Sequence, residues 1–360
     1  MHIPDGYLSP QSCGVMTATM VPAWAIAGRR VRRVVKNRHV PLLAIGAAYC
    51  FLVMMFNIPI PDGTTAHAVG GVLVAVVLGP EAALIAVSVA LAIQALFFGD
   101  GGILAFGANC FNMAVVLPMT GYLVYRLLSR NTALTAPRRA FAAGIGAYVG
   151  INLAALCAAI EFGLQPTLFH SANGTPLYAP FHLAQTIPAM ALAHLTIAGG
   201  VELVLTTGVI AYLQRANLPL LRINHPDVPG TPEELVAPKP FGWKWAVVFL
   251  GTLVVLTPLG LIAPGGAFGE DAPEDLDLGK YGLNAVPSGL RHYAGFWHHA
   301  LFEGYGFSSD EHPTIGYLVS AVFGIAVIAA AILLTYLAIR TVRNLRRRSV
   351  TATTPTAAGG

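Results

Sequence analysis

The chain starts Met1-His2-Ile3-Pro4-Asp5-Gly6, and its first two residues can hold a metal ion between them. A free α-amine, the backbone nitrogen of His2 once an ion displaces its proton, and one imidazole nitrogen form adjacent chelate rings lying nearly in one plane. A histidine from elsewhere in the chain would close the square. Planar nitrogen coordination suits Ni(II) or Cu(II), and low-spin Co(II), whereas Zn(II) prefers a tetrahedron. The device requires Met1 to be retained, unformylated and first in the chain. Protons compete for the same nitrogens, so such a site weakens as the pH falls toward about 6.

The fourth donor is sought where the chain can bring a histidine to the same face. His67 stands in Ala66-His67-Ala68-Val69-Gly70-Gly71, after the loop Asn57-Ile58-Pro59-Ile60-Pro61-Asp62-Gly63-Thr64-Thr65, at the mouth of an apolar run. Ionisable groups at membrane depth are functional candidates, although a histidine bonded to a backbone carbonyl is the plainer alternative. Gln94, Asn109 and Asn112 are supporting candidates around the ion. Asn109 and Asn112 are three residues apart and share a face of a helix, from which they could orient His67 or clamp the N-terminal segment. Hydrogen bonding between helices is the competing reading for each of these amides. Cys110, between them, reads as a buried thiol.

Other constellations carry less. Glu270, Asp271, Glu274, Asp275 and Asp277, followed by Trp297-His298-His299 and Glu303, could concentrate cations, but a solvated acidic loop is the simpler expectation. His182 and His194 would lie about 18 Å apart along one helix at 1.5 Å per residue, too far for a shared site. Cys13, Cys50, Cys110 and Cys157 form no CxxC pair and read as buried thiols. No lysine sits in a GxxxxGK[ST] loop, so the chain carries no P-loop ATPase.

The elements that must position these groups are membrane helices. The 360 residues are 55% hydrophobic and only 11% charged, well below the ~25% charged share of soluble domains. This is the composition of an all-α integral membrane protein, and it argues against a nucleic-acid partner. Apolar runs predict spans near 10–28, 40–57, 66–78, 82–98, 103–127, 139–160, 182–213, 243–263 and 314–339. No basic stretch precedes an apolar run at the N-terminus, so no cleavable signal peptide is expected. With the N-terminus outside, 19 of the 21 Lys and Arg residues fall on the cytoplasmic side, leaving only Lys280 and Arg291 outside. The positive-inside rule therefore predicts N-out, C-in, which places Met1 and His2 where an imported ion arrives.

The chain divides into residues 1–215, a membrane domain of seven spans; 216–242, a Pro-rich cytoplasmic linker; 243–348, a two-span hairpin with a large outer loop; and 349–360, a tail expected to be disordered. The Arg clusters are expected to meet anionic lipid headgroups.

At this point the chain resembles the substrate-capture (S) components of cobalt and nickel energy-coupling-factor transporters, the CbiM/NikM family. The resemblance rests on Met1-His2-Ile3-Pro4-Asp5-Gly6-Tyr7-Leu8, on Gly63-Thr64-Thr65-Ala66-His67, and on Gly99-Asp100-Gly101-Gly102 with Gly107-Ala108-Asn109-Cys110-Phe111-Asn112-Met113, and it extends over about the first 215 residues. It implies an N-terminal segment reaching into a helical bundle, with Met1, His2 and His67 as ligands of Co(II) or Ni(II). It also implies a membrane coupling (T) subunit, cytoplasmic ATP-binding (A) subunits, no permanently bound cofactor, and a bacterial or archaeal cytoplasmic membrane. The hairpin 243–348 is similar to the small NikN/CbiN-like accessory component through Leu261-Ile262-Ala263-Pro264-Gly265-Gly266-Ala267-Phe268-Gly269-Glu270. His67 stands in Ala-His-Ala-Val where some relatives have Ser-His-Pro-Thr, so the choice between cobalt and nickel does not carry over.

Two rival functions belong to other classes. An intramembrane metalloenzyme built on His67 and the His298-His299 pair would need a water-activating carboxylate, and no HExxH is present. A secondary transporter of a small organic substrate would work without ATPase partners and ignore the N-terminus.

Overall fold

Long runs of aliphatic and small residues leave the backbone no polar partner except itself, and helices result. The computed structural model describes residues 1–34, 40–60, 65–228, 243–263, 266–307 and 311–352. Its helices are α1 (Pro10–Val34), α2 (Val40–Met54), α3 (Gly71–Leu78), α4 (Pro80–Ile93), α5 (Phe106–Cys110), α6 (Leu117–Leu128), α7 (Pro137–Leu168), α8 (Leu183–Ala193), α9 (Gly199–Ala216), α10 (Leu218–Arg222), α11 (Trp243–Leu256), α12 (Ser288–Tyr293) and α13 (Pro313–Ala352). Three π-turns interrupt them: Gln94–Phe98 extends α4, Phe111–Val116 joins α5 to α6, and His194–Ala198 joins α8 to α9. Six stretches are long and apolar enough to cross a membrane: 80–98, 106–128, 137–168, 183–216, 244–262 and 313–342. Of the three remaining expected spans, 10–28 falls in α1, a 25-residue helix outside those six, α2 has 15 residues and α3 only eight.

The centre of the bundle is α7, which packs against α6, α8 and α9. Small residues allow close approach: a Cβ on Gly121 or Gly146 would collide with the carbonyl of the other. The C-terminal hairpin joins the bundle through α13, which packs on α2.

The expected span 66–78 is shorter than its hydrophobicity suggested. Residues 65–70 are not helical, and the helix starts only at Gly71. Gly70 adopts φ +76°, a conformation that favours glycine, and the N–H groups of Val69 and Gly70 both donate to the Glu202 carboxylate at 2.7 Å. An antiparallel pair of two-residue strands, β1 (Ile58–Pro59) and β2 (Thr65–Ala66), leads directly into His67. Residue Ala267 of the large outer loop adds a parallel bridge to Thr65.

The linker 216–242 begins as ordered chain. Asn224 donates to the carbonyls of Ala75 and Val76 and to the Tyr122 hydroxyl, folding residues after α10 back under the bundle. Residues 229–242 lie outside those described. Residues 349–352, expected to be disordered, continue α13, and 353–360 lie outside the described residues.

Candidate metal centre

The first nine residues do not fray. Met1 and His2 are 2% exposed, Ile3 is fully buried, and Tyr7 and Leu8 are buried with them. Several polar groups of this segment meet fixed partners. Asn109 receives the Ile3 N–H at 2.8 Å and returns an N–H to the Ile3 carbonyl at 3.0 Å, and Gly102 donates to that same carbonyl at 2.9 Å. The Asp5 carboxylate accepts the N–H groups of Ile103, Leu104 and Ala105, the free donors ahead of α5. Burial raises the Asp5 carboxyl above its ordinary range, and these three donors pull the other way. Any side chain at Gly102 would strike Asp5, which explains the glycine there. Ser9 donates to Gln165, and the Tyr7 hydroxyl donates to the Asp271 carbonyl.

These ties place the chain start beside His67. The His2 and His67 rings stack with centroids 4.9 Å apart. His67 Nδ1 faces its neighbour's carbonyl, Ala68 O, at 3.0 Å, which assigns the proton to Nδ1 and leaves Nε2 with its lone pair. Nε2 of both rings is buried without a protein partner. The terminal amine is held by Glu270 Oε1 at 3.0 Å and His2 Nδ1 by Asp100 Oδ1 at 3.0 Å. One ligand atom each from His2, His67 and Glu270 lies within 4.8 Å of the others.

Asp100 sits in a small network. Gln94 donates to Asp100 Oδ2 at 3.1 Å and to the Tyr305 hydroxyl at 2.8 Å, and Tyr305 donates to the same Asp100 oxygen. Burial opposes ionisation of Asp100, yet the charge and hydrogen bond of His2, with the Tyr305 hydroxyl, hold its carboxyl below the usual carboxylate range. The Tyr305 phenol is pushed up by burial and by Asp100.

The expected residues are thus partly assembled. Met1, His2 and His67 converge, Asn109 clamps the terminal segment, and Gln94 reaches the site through Asp100. Asn112 does not take part: it donates to Glu161 on α7 at 2.8 Å. The reason is the π-turn starting at Phe111, which changes the phase after Asn109 so that i and i+3 no longer share a face. His298 and His299 lie exposed with their rings tilted against each other, apart from the three-residue cluster.

Two acidic partners escaped the sequence reading. Asp100 was visible only as the acid in a glycine-rich run, and Glu270 as one of several loop acids, 269 residues from its partner. Half-buried Glu161 and fully buried Glu202 carried a usable signal: each is a lone carboxylate in an apolar run.

Comparison with known proteins decides the family. Residues 2–220 match the CbiM family, described as the cobalt uptake substrate-specific transmembrane region. The chain belongs to the CbiM family. It is 48% identical over 344 residues to the fused nickel transport protein NikMN of Rhodobacter capsulatus, covering 92% of this chain and 96% of that one. It is 45% identical over 338 residues to the probable fused nickel transport protein LarMN of Lactiplantibacillus plantarum, covering 91% and 95%. A crystal structure described as a truncated transition metal transporter shares 57% identity, with a TM-score of 0.56, and covers 59% of this chain and 98% of that chain. The match to the fused proteins extends past residue 220 into the C-terminal hairpin. As a CbiM family member the chain is a multi-pass, substrate-specific membrane component of metal-ion uptake in a prokaryotic membrane.

Proposed function

We propose that this chain captures Ni(II) or Co(II) at its N-terminus, with Met1, His2 and His67 as ligands. The observation that carries the reading is a terminal amine buried inside a membrane bundle beside two stacked imidazoles, of which His67 presents an unpartnered Nε2. Such a donor set fits a nitrogen-preferring first-row ion.

Capture requires exchange. Chelation through the His2 backbone nitrogen uses Nδ1 of the same residue, because only that nitrogen closes a six-membered ring. Asp100 holds Nδ1, so the ring turns away from Asp100 as the ion enters. The amine leaves Glu270 in the same step and loses its proton. His67 Nε2 then closes the plane. Asn109 keeps the segment at the right depth, while Gln94 and Tyr305 position Asp100.

The chain acts as a binding and transport subunit rather than an enzyme, without a permanently bound cofactor. Its sequence holds no P-loop, so the energy comes from cytoplasmic ATP-binding (A) subunits through a transmembrane coupling (T) subunit. The names of the fused nickel transport relatives favour nickel as the first ion to test.

The decisive experiment adds two residues before Met1 and measures nickel and cobalt binding by calorimetry on the purified chain. Loss of tight binding, with an unchanged gel-filtration profile, is the expected result. Undiminished affinity would remove the amine from the ligand set.

A further inference from the structure

The end of the bundle away from the metal centre holds a charged cavity that ion capture does not use. Helix α3 begins four residues after His67, and toward its far end the Ala75 and Val76 carbonyls receive Asn224, which lines this cavity. The cavity has a volume of about 310 Å³, at the lower end of the ~300–1,000 Å³ of small-molecule sites. Its walls come from the last turns of α6, the turn that follows, the start of α7 and the segment after α10. The sidedness expected from the basic residues puts this end at the cytoplasmic leaflet.

Three guanidiniums, those of Arg126, Arg130 and Arg139, line the cavity against one carboxylate, Asp227. Among the described residues, none of the three forms an ion pair with an acid. Arg139 is 6% exposed, and its hydrogen bonds go to neutral groups. Its Nε donates to the Thr132 and Ala133 carbonyls, its Nη2 to Thr132 at 2.8 Å, and its Nη1 to the Tyr125 hydroxyl at 2.9 Å. These bonds fix the guanidinium in place without balancing its charge. His225, in the same wall, feels that field: burial, then the charges of Arg139 and Arg126, hold its imidazole down at about 4. A buried charge is costly unless an opposite charge approaches it, and an anion in the cavity supplies one.

The surroundings of the cavity select the kind of anion. On α6, Leu123 and Leu127 are 58% and 64% exposed, and on α7 Phe141, two residues after Arg139, is 62% exposed. Large apolar side chains left open beside a cluster of arginines suit a ligand that is anionic at one end and hydrocarbon at the other. A guanidinium matches phosphate oxygens in geometry as well as in charge.

We infer that this cavity binds the phosphate of an anionic membrane lipid, with its acyl chains lying along Leu123, Leu127 and Phe141. Arg126 and Arg130, both exposed, reach the phosphate from the rim, and Arg139 supplies charge from the buried wall. A lipid held there joins α6 and α7 to the segment after α10. The site does not rest on the capture reading.

Native mass spectrometry and thermal unfolding of the full chain in neutral detergent test this. The added compounds are phosphatidylglycerol, phosphatidylcholine with the same acyl chains, and inorganic phosphate at equal ionic strength. One phosphatidylglycerol is expected to stay bound and to raise the unfolding midpoint, whereas the other two should do neither. Arg126→Gln combined with Arg130→Gln should weaken phosphatidylglycerol binding by about 30-fold. Arg29→Gln combined with Arg215→Gln removes the same charge from exposed positions outside the cavity and should leave binding unchanged. An unchanged gel-filtration profile establishes that both double variants fold. Equal losses in the two double variants, or none in either, would overturn the site. Phosphatidylcholine bound as tightly would remove the anion from the proposal, and a midpoint raised as far by inorganic phosphate would overturn the lipid.

Discussion

At the scale of single residues, the proposed centre holds the Met1 amine against Glu270 and His2 Nδ1 against Asp100, while His67 Nε2 has no protein partner. Glu270 stabilises the charged form of the Met1 amine and so competes with metal for it. A partly buried ion pair contributes about 1 kcal/mol, so Glu270→Gln should tighten nickel binding at neutral pH by about five-fold. Weaker binding in that variant would make Glu270 a ligand rather than a competitor. His67→Ala removes one corner and leaves three nitrogens. Calorimetry should show a loss larger than the roughly 10–100-fold typical of groups outside the ligand set, with binding still measurable.

At the scale of elements, the terminal segment behaves as one more core strand of the bundle, and Asn109 is its clasp. Two hydrogen bonds of about 1 kcal/mol each join Asn109 to Ile3. Asn109→Ala should therefore lower nickel affinity by about 30-fold and expose the first residues to protease, both read on the same preparation. The π-turns are the second device at this scale. The three of them begin at Gln94, Phe111 and His194, and each changes which residues face the centre. This is why Asn112, legible as a partner of Asn109 from spacing, meets Glu161 instead. Hydrophobic periodicity located the helices but carried no trace of an extra residue within a turn, since an apolar run reads alike in either geometry.

At the scale of the whole molecule, the two ends do different work. One end gathers the chain start, the β1–β2 pair and the loop 266–307 around the proposed metal centre. The other end is tied by Asn224 and by His225, buried against the Tyr125 hydroxyl at 3.1 Å. Burial, then the charges of Arg139 and Arg126, hold the His225 imidazole down at about 4. A folded value below the ordinary ~6.5 means that its stabilising contribution is complete above about pH 6.5 and is lost as the pH falls toward 4. Thermal unfolding should show this loss over that window, and His225→Gln should flatten it. Truncation after residue 222 removes Glu270, Asp271 and Tyr305 but none of Met1, His2 and His67. The shortened chain should still bind nickel, with its N-terminal segment cleaved faster by protease.

The sequence by itself determined whatever depends on neighbouring atoms or on composition. The proposed Met1-His2 chelate is contiguous covalent geometry, the helices follow from apolar runs with no water to satisfy their backbones, and the expected sidedness follows from where the basic residues lie. His67 and Asn109 were legible because polar groups are conspicuous in such runs. Tertiary structure alone decided which carboxylate holds which nitrogen. Glu270 reaches Met1 across 269 positions, and Asp100 meets His2 through a turn built on glycine. Nothing in local spacing encodes a contact made by folding two distant loops together, and nothing in hydropathy encodes the π-turns that break the helical phase.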